Sequence, residues 1–174
     1  NGRADRATIN GRRLAGAKGS MQEGGALVPL IVSWPGRVPA GQVSRGAVDS
    51  SDFLPTFAEL AGAALPEKTT IDGRSFAGLL RGAPARSREW VFIQLARMWW
   101  VRDAQWKLNQ AGELYDMTDA PSAETLVPAD SLDSEAKAAR VRLQAALDQL
   151  SPADGILDTG DGSGRHAKNR GKGD

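Results

Sequence analysis

The run KGSMQEGGALVPLIVSWPG at residues 18–36 constrains the fold more than any other stretch. Its centre, residues 26–34, is almost continuously apolar and rich in Val, Leu and Ile. A run of that kind predicts a strand buried on both faces, because an alternating pattern is needed only when one face meets water. Pro29 sits near its start, where a strand tolerates a missing N–H, and Pro35-Gly36 ends it. A doubly buried strand requires neighbouring strands and covering helices, so the chain reads as α/β. If the chain stands alone, one side of this strand has no partner, and bare edges invite association.

The flanking sequence supplies the other elements. Residues 1–17 are rich in Gly, Arg and Ala without an apolar period, which predicts loop. Residues 43–48 read as a short strand. Ser50-Ser51-Asp52 precedes Phe53-Leu54-Pro55-Thr56-Phe57-Ala58-Glu59-Leu60-Ala61-Gly62. A Ser or Asp cap, Pro in the first turn, apolar positions at 53, 54, 57, 60 and 61, and a closing Gly predict a helix. Asp72-Gly73 is a turn, and Ser75 caps a short helix through Leu80 that Gly82 ends.

Beyond a polar linker at 83–88 the pattern changes. Residues 90–95, 98–102, 105–109 and 113–116 are short Trp-, Val-, Ile-, Leu- and Tyr-rich segments separated by turn residues, which predicts a four-stranded antiparallel meander. Residues 134–150 read as a helix with Val141, Leu143, Leu147 and Leu150 as its spine, Ser134 as its cap and Pro152 beyond its end. From residue 159 onward the chain is Gly, Asp, Lys and Arg with nothing to bury, and disorder is expected. The division expected is 1–82, 83–158 and a 159–174 tail.

Charge and composition narrow the function. Lys and Arg number 22 against 21 Asp and Glu, a formal charge of +1, which is no nucleic-acid footprint. No apolar run approaches the roughly 18 residues of a membrane span. With no cysteine, this segment holds no disulfide, thiolate metal site or thiol nucleophile. The chain opens on Asn rather than Met and is read as a piece of a longer protein.

Few residues carry chemistry on their own. Lys18 stands before a Gly-rich segment, where backbone approaches a ligand closely and an ammonium holds an anion as a point charge. Glu23, before Gly24-Gly25, reads as a metal ligand or base, or more plainly as a carboxylate hydrogen-bonding backbone in a tight turn. His166 is the single histidine and has no positioned partner, which makes it a poor general base. Asp158 and Asp161 lack the alternating oxygen ligands of a calcium loop. Trp99, Trp100 and Trp106 read either as a sugar-stacking platform or, more simply, as core and rim of the meander.

The order of motifs says more. KGSMQEGG, VPLIVSWPG, the SSDFLPTFAELAG helix, Ile71-Asp72-Gly73-Arg74-Ser75-Phe76, Leu79-Leu80-Arg81-Gly82, Val101-Arg102-Asp103, Trp106-Lys107-Leu108 and Glu113-Leu114-Tyr115-Asp116 follow one another over residues 18–150. This series resembles the C-terminal part of the sulfatases of the alkaline-phosphatase superfamily. The resemblance implies an α/β fold whose late strand is residues 26–34, ending in a small four-stranded antiparallel sheet packed by a helix. It implies hydrolysis of sulfate esters through a formylglycine nucleophile with bound calcium, both requiring sequence before Asn1.

Within that resemblance, Lys18 matches the lysine that touches a sulfate oxygen. Asn1-Gly2 matches the end of the family's Asp-Asn-Gly stretch, whose Asp and Asn both bind the calcium, so the resemblance implies Asn1 as one calcium ligand. Leu27 stands where relatives often carry Arg, so one charge is missing near the turn. The implied partner is a sulfated small molecule or glycan, with no nucleic acid and no membrane span, in a periplasmic or secreted setting. Two alternatives remain at this point: a non-catalytic module that holds a sulfated glycan or partner protein on its Trp-rich meander, and a phosphate or phosphonate ester hydrolase of the same superfamily.

Overall fold

The computed structural model describes residues 7–83, 88–95 and 98–150. Asn1, His166, Asp158, Asp161 and the expected tail at 159–174 lie outside the described residues. The first element is a hairpin of β1 (Thr8–Ile9) and β2 (Arg12–Arg13), where the sequence predicted only loop. Asn10 and Gly11 turn it, both with positive φ, and Asn-Gly is the pair that such a tight turn favours. A four-residue helix α1 (Glu23–Ala26) follows.

The strand predicted at 26–34 is not formed. Ala26 closes α1, and residues 27–34 carry no strand pairing and stay exposed, with Ile31 89% exposed. The strand predicted at 43–48 is likewise absent. The reason is physical: a strand is made by its partners, and no described segment pairs with either run.

A 3-10 turn at Ser50–Asp52 leads into α2 (Phe53–Ala61). The cap is Asp49, one residue before the Ser-Ser-Asp expected to supply it. Its carboxylate accepts from Ser51 N–H at 2.9 Å while Asp52 accepts from Asp49 N–H at 2.8 Å, a reciprocal capping box. Gly62 closes α2 in the left-handed region at φ 67°. The interior face is Pro55 and Thr56, whereas Leu54 and Phe57 of the expected apolar face are exposed. Phe53 stacks on Phe57 and meets Phe76 edge-on, each at 5.9 Å between ring centres. The short helix α3 (Ala77–Leu80) starts two residues beyond Ser75, whose hydroxyl accepts from Ala77 N–H at 3.2 Å.

Five antiparallel strands then run in sequential order: β3 (Val91–Leu95), β4 (Met98–Arg102), β5 (Trp106–Asn109), β6 (Leu114–Asp116) and β7 (Thr125–Val127). The sheet therefore has one strand more than expected. Thr125–Val127 is too short to show a period of its own, and it becomes a strand by pairing with β6, Tyr115 opposite Leu126. Helix α4 (Ser134–Leu150) covers one face. Its cap is Asp133 rather than Ser134, with the carboxylate accepting from Ala136 N–H at 2.8 Å. Ala136, Ala139, Leu143, Ala146 and Leu147 meet Val101, Trp106, Leu108 and Leu114. Val141, expected in the spine, points to solvent because the three alanines face the sheet and set the helix close to it.

Alternation along the strands gives this sheet two unlike faces. Val101, Trp106, Leu108 and Leu114 point to α4. Trp100, Arg102, Lys107 and Tyr115 point the other way, and Arg102 faces Lys107 across the β4–β5 pairing.

A separate buried pair joins the chain just before β3 to α2. Arg88 forks onto both oxygens of Asp52, its Nε at 2.8 Å from Oδ2, and also reaches Ser51 Oγ at 3.1 Å and the Asp72 carbonyl at 3.2 Å. Gly73 has to be glycine here, since a Cβ would lie 1.9 Å from the Ser51 carbonyl oxygen. Burial pushes the Asp52 carboxyl up, but hydrogen bonds from Arg88 and from the backbone N–H groups of Arg74 and Asp49 outweigh it and hold it below its ordinary 3.8. A lowered folded-state pKa contributes stability that is complete above the unfolded value and lost as pH falls through the folded one. Unfolding midpoints in urea should therefore fall as pH drops below 3.8, and Asp52→Asn should flatten that dependence. Arg88→Met, leaving the buried carboxylate without its counter-charge, should cost about 3–5 kcal/mol in the same titration.

Candidate functional site

Lys18 lies at an exposed turn in the loop between β2 and α1, and among the described residues it has no ion-pair partner. The loop is folded on itself by backbone. Ser20 N–H donates to Ala17 C=O at 2.9 Å, Ala17 N–H to Ser20 Oγ at 3.1 Å, and Gly24 N–H to Ala15 C=O at 2.7 Å. Gly16 and Gly19 take positive φ of 79° and 85° on either side of Lys18. A Cβ on Gly24 would sit 2.5 Å from the Gly16 carbonyl oxygen, and one on Gly25 would sit 2.0 Å from that of Ser20. The glycines of the run thus serve close backbone approach within the loop, and their effect is to hold Lys18 at its apex.

The loop is fastened to the polar face of the sheet. Ala15 N–H donates to Pro121 C=O at 2.9 Å, and Glu23 N–H donates to Glu124 Oε1 at 3.0 Å. Trp100 Nε1–H donates to Met21 C=O at 2.8 Å, and Lys107 Nζ stands 3.5 Å from the same carbonyl. Lys107 pairs with Glu124, both side chains only 4% exposed, and its ammonium also lies 5.5 Å and 5.1 Å from the Trp100 and Tyr115 rings. Glu23 is buried and pairs with Arg102 at 2.8 Å. Its carboxylate thus binds a guanidinium from the sheet, where the plainer reading of the sequence had it bonding the backbone of its own turn. Burial first, and then the hydrogen bond to Glu113, push the Tyr115 phenol up to about 12, so it stays neutral beside this cluster.

Sequence reasoning singled out Lys18 and Glu23 and missed Arg102, Lys107 and Glu124. A signal existed for Lys107: it sits inside a strand between Trp106 and Leu108, where alternation sends it to the face away from the apolar core. Glu124 carries no local signal. Of the tryptophans, Trp100 and Trp106 are buried and Trp99 packs against the core, so they present no open stacking platform. An open depression of 390 Å³ between the β4–β5 turn and α4 is lined by Arg88, Asp103, Trp106, Glu135 and Arg142, and Lys18 is not part of it. Among the described residues no group of three or more His, Cys, Asp or Glu converges as a metal site.

Comparison with known proteins gives concordant matches. The family described as N-sulphoglucosamine sulphohydrolase, C-terminal, matches residues 17–151. Mouse steryl-sulfatase is 33% identical over 185 residues, covering 79% of this chain and 30% of that protein. Human arylsulfatase D is 37% identical over 94 residues, covering 53% of this chain and 16% of that protein. The solved structure of a 2-O GAG sulfatase superposes with a TM-score of 0.45 at 26% identity, over 57% of this chain and 23% of its own. The chain thus spans less than a third of the length of these relatives.

The packing around Lys18 makes one outcome specific. Gly25→Ala should force the Ser20 carbonyl away and cost about 1–3 kcal/mol, as overpacking does. Amide exchange should quicken at Ser20 and Gly24, with the β3–β7 amides unchanged.

Proposed function

Since this chain belongs to the sulfatase family and matches its C-terminal part, we propose that it is the C-terminal segment of an enzyme that hydrolyses sulfate esters, in which Lys18 holds a sulfate oxygen. The observation that carries the reading is the placement of Lys18. An exposed ammonium stands at the apex of a loop that is folded on itself by backbone hydrogen bonds and fastened to the sheet at both ends. A solvated surface lysine needs no such loop. A lysine that must meet an anion at a fixed point does, because a charge held in place stabilises sulfuryl oxygens without reorganising as the bond to sulfur breaks.

The formylglycine nucleophile and calcium, with Asn1 as one of its ligands, belong to the same proposal, and residues outside those described would complete both. The substrate class is a sulfated small molecule or glycan. The apolar surface supports the segment reading. Leu27, Val28, Leu30, Ile31 and Val32, with Leu54 and Phe57 of α2, stay exposed in a family whose members extend well beyond this length. Apolar exposure on that scale calls for a covering partner, here the remainder of the sulfatase chain.

A phosphate or phosphonate ester would present similar oxygens to Lys18, so the assay must separate them. The longest reading frame containing this chain should hydrolyse 4-methylumbelliferyl sulfate in preference to the phosphate. Lys18→Ala should lower kcat/KM by about 10²-fold, the scale of losing one oxyanion contact, and Lys18→Arg should retain part of it. Preference for the phosphate would move the assignment within the superfamily, and binding of sulfated glycan with no hydrolysis of either ester would favour the non-catalytic module. Expressed alone, residues 1–174 should self-associate in sedimentation velocity, and a clean monomer would count against the segment reading.

A further inference from the structure

Resting on the reading of Lys18 as the sulfate-holding group, we propose that Glu124 and Lys107 are positioning residues whose buried pair sets where Lys18 stands. Neither side chain belongs to the loop. Glu124 arrives just before β7 and Lys107 from the middle of β5. Both act on the loop through its backbone: Glu124 Oε1 accepts from Glu23 N–H at 3.0 Å, and Lys107 Nζ stands 3.5 Å from Met21 C=O. Trp100 Nε1 binds that same carbonyl at 2.8 Å. The segment that delivers Glu124 also holds the other end of the loop, through Pro121 C=O and Ala15 N–H at 2.9 Å. Both ends of the loop are thus tied to residues 121–124, and Lys18 lies between the ties.

The energetics point to position rather than to stability. Removing two charges from water costs several kcal/mol per ion, and a buried pair returns little more than well-packed apolar side chains would. What apolar side chains cannot do is bind an N–H and a carbonyl of a neighbouring loop. The loop's own hydrogen bonds and glycines set its shape, but they do not set its place on the sheet. The pair supplies the missing reference by carrying the register of the sheet into the loop. A displacement of about 1 Å at such a group is enough to lose about two orders of magnitude in rate.

The test is a cycle in the intact enzyme. Lys107→Met with Glu124→Leu removes both charges together and leaves no lone buried ion. We expect an unchanged circular dichroism spectrum, a kcat/KM lowered about 10-fold or more with most of the loss in kcat, and a further cost of Lys18→Ala below about 10-fold, against its full cost in the unaltered enzyme. Lys107→Met with Glu124→Gln restores an acceptor for Glu23 N–H and should recover part of the rate. If Lys18→Ala costs as much in the paired variant as in the unaltered enzyme, the two sites are independent and the positioning role is overturned. If the paired variant does not fold, Lys107→Met with Glu124→Gln carries the same cycle, since it removes both charges and the cation at Met21 C=O while keeping an acceptor for Glu23 N–H, and additivity there overturns the proposal equally. Lys18→Ala with unchanged activity would instead sink the assignment of Lys18, whatever the pair does.

Discussion

The buried contact between Lys107 and Glu124 joins the two halves of the structure. Lys107 arrives on a central strand and Glu124 on the chain leading into the last one, so their pairing depends on the sheet having formed. Once paired, they present an acceptor to Glu23 N–H and a cation to Met21 C=O, and the Lys18 loop settles against them. Arg102 and Trp100 extend the same surface, one through the Glu23 carboxylate and one through the Met21 carbonyl. Low local dielectric makes such a cluster costly if any member is missing, and no buried side-chain N or O among the described residues lacks a partner.

The sheet performs two tasks because its side chains alternate. One face is a hydrocarbon surface closed by α4, with alanines where helix and sheet approach and Leu143 and Leu147 filling between them. The other is a polar surface with two aromatic rings about an ammonium. A single strand serves both: Trp106 and Leu108 go to the helix, and the lysine between them goes to the loop. The apolar face gives the sheet a stability that does not depend on the loop, so the sheet can act as its reference. The Arg88–Asp52 pair plays a comparable part at the other junction, tying the start of the sheet to the cap of α2.

Much of this was legible in the sequence. Four strands of the meander, α4 and α2 were readable because their periods and stop signals are local. The errors fall where the deciding partner is distant. Residues 26–34 have the composition of a doubly buried strand, but Ala26 ends α1, and with no described neighbour to pair with residues 27–34 remain exposed and form no strand. Thr125–Val127 has too little pattern to be recognised, yet it pairs because β6 offers an open edge. Val141 fits a helical spine by spacing, but three alanines on another face set which side approaches the sheet.

The sequence by itself determined the family, through the order of its motifs, and singled out Lys18 through the glycines beside it. It determined as well that the second half would alternate between two faces, since a period of two is a property of the extended chain. Only the tertiary structure decided what the second face is for. Glu23 looked like a carboxylate for its own turn and instead binds Arg102, 79 residues away in the numbering. Glu124 has no distinguishing neighbour in the sequence and becomes the anchor of the loop because folding brings it beside Lys107 and Glu23 N–H. Hydrogen bonds and ion pairs act over a few ångströms whatever the chain separation, so their partners are set by the assembled sheet rather than by the residues alongside.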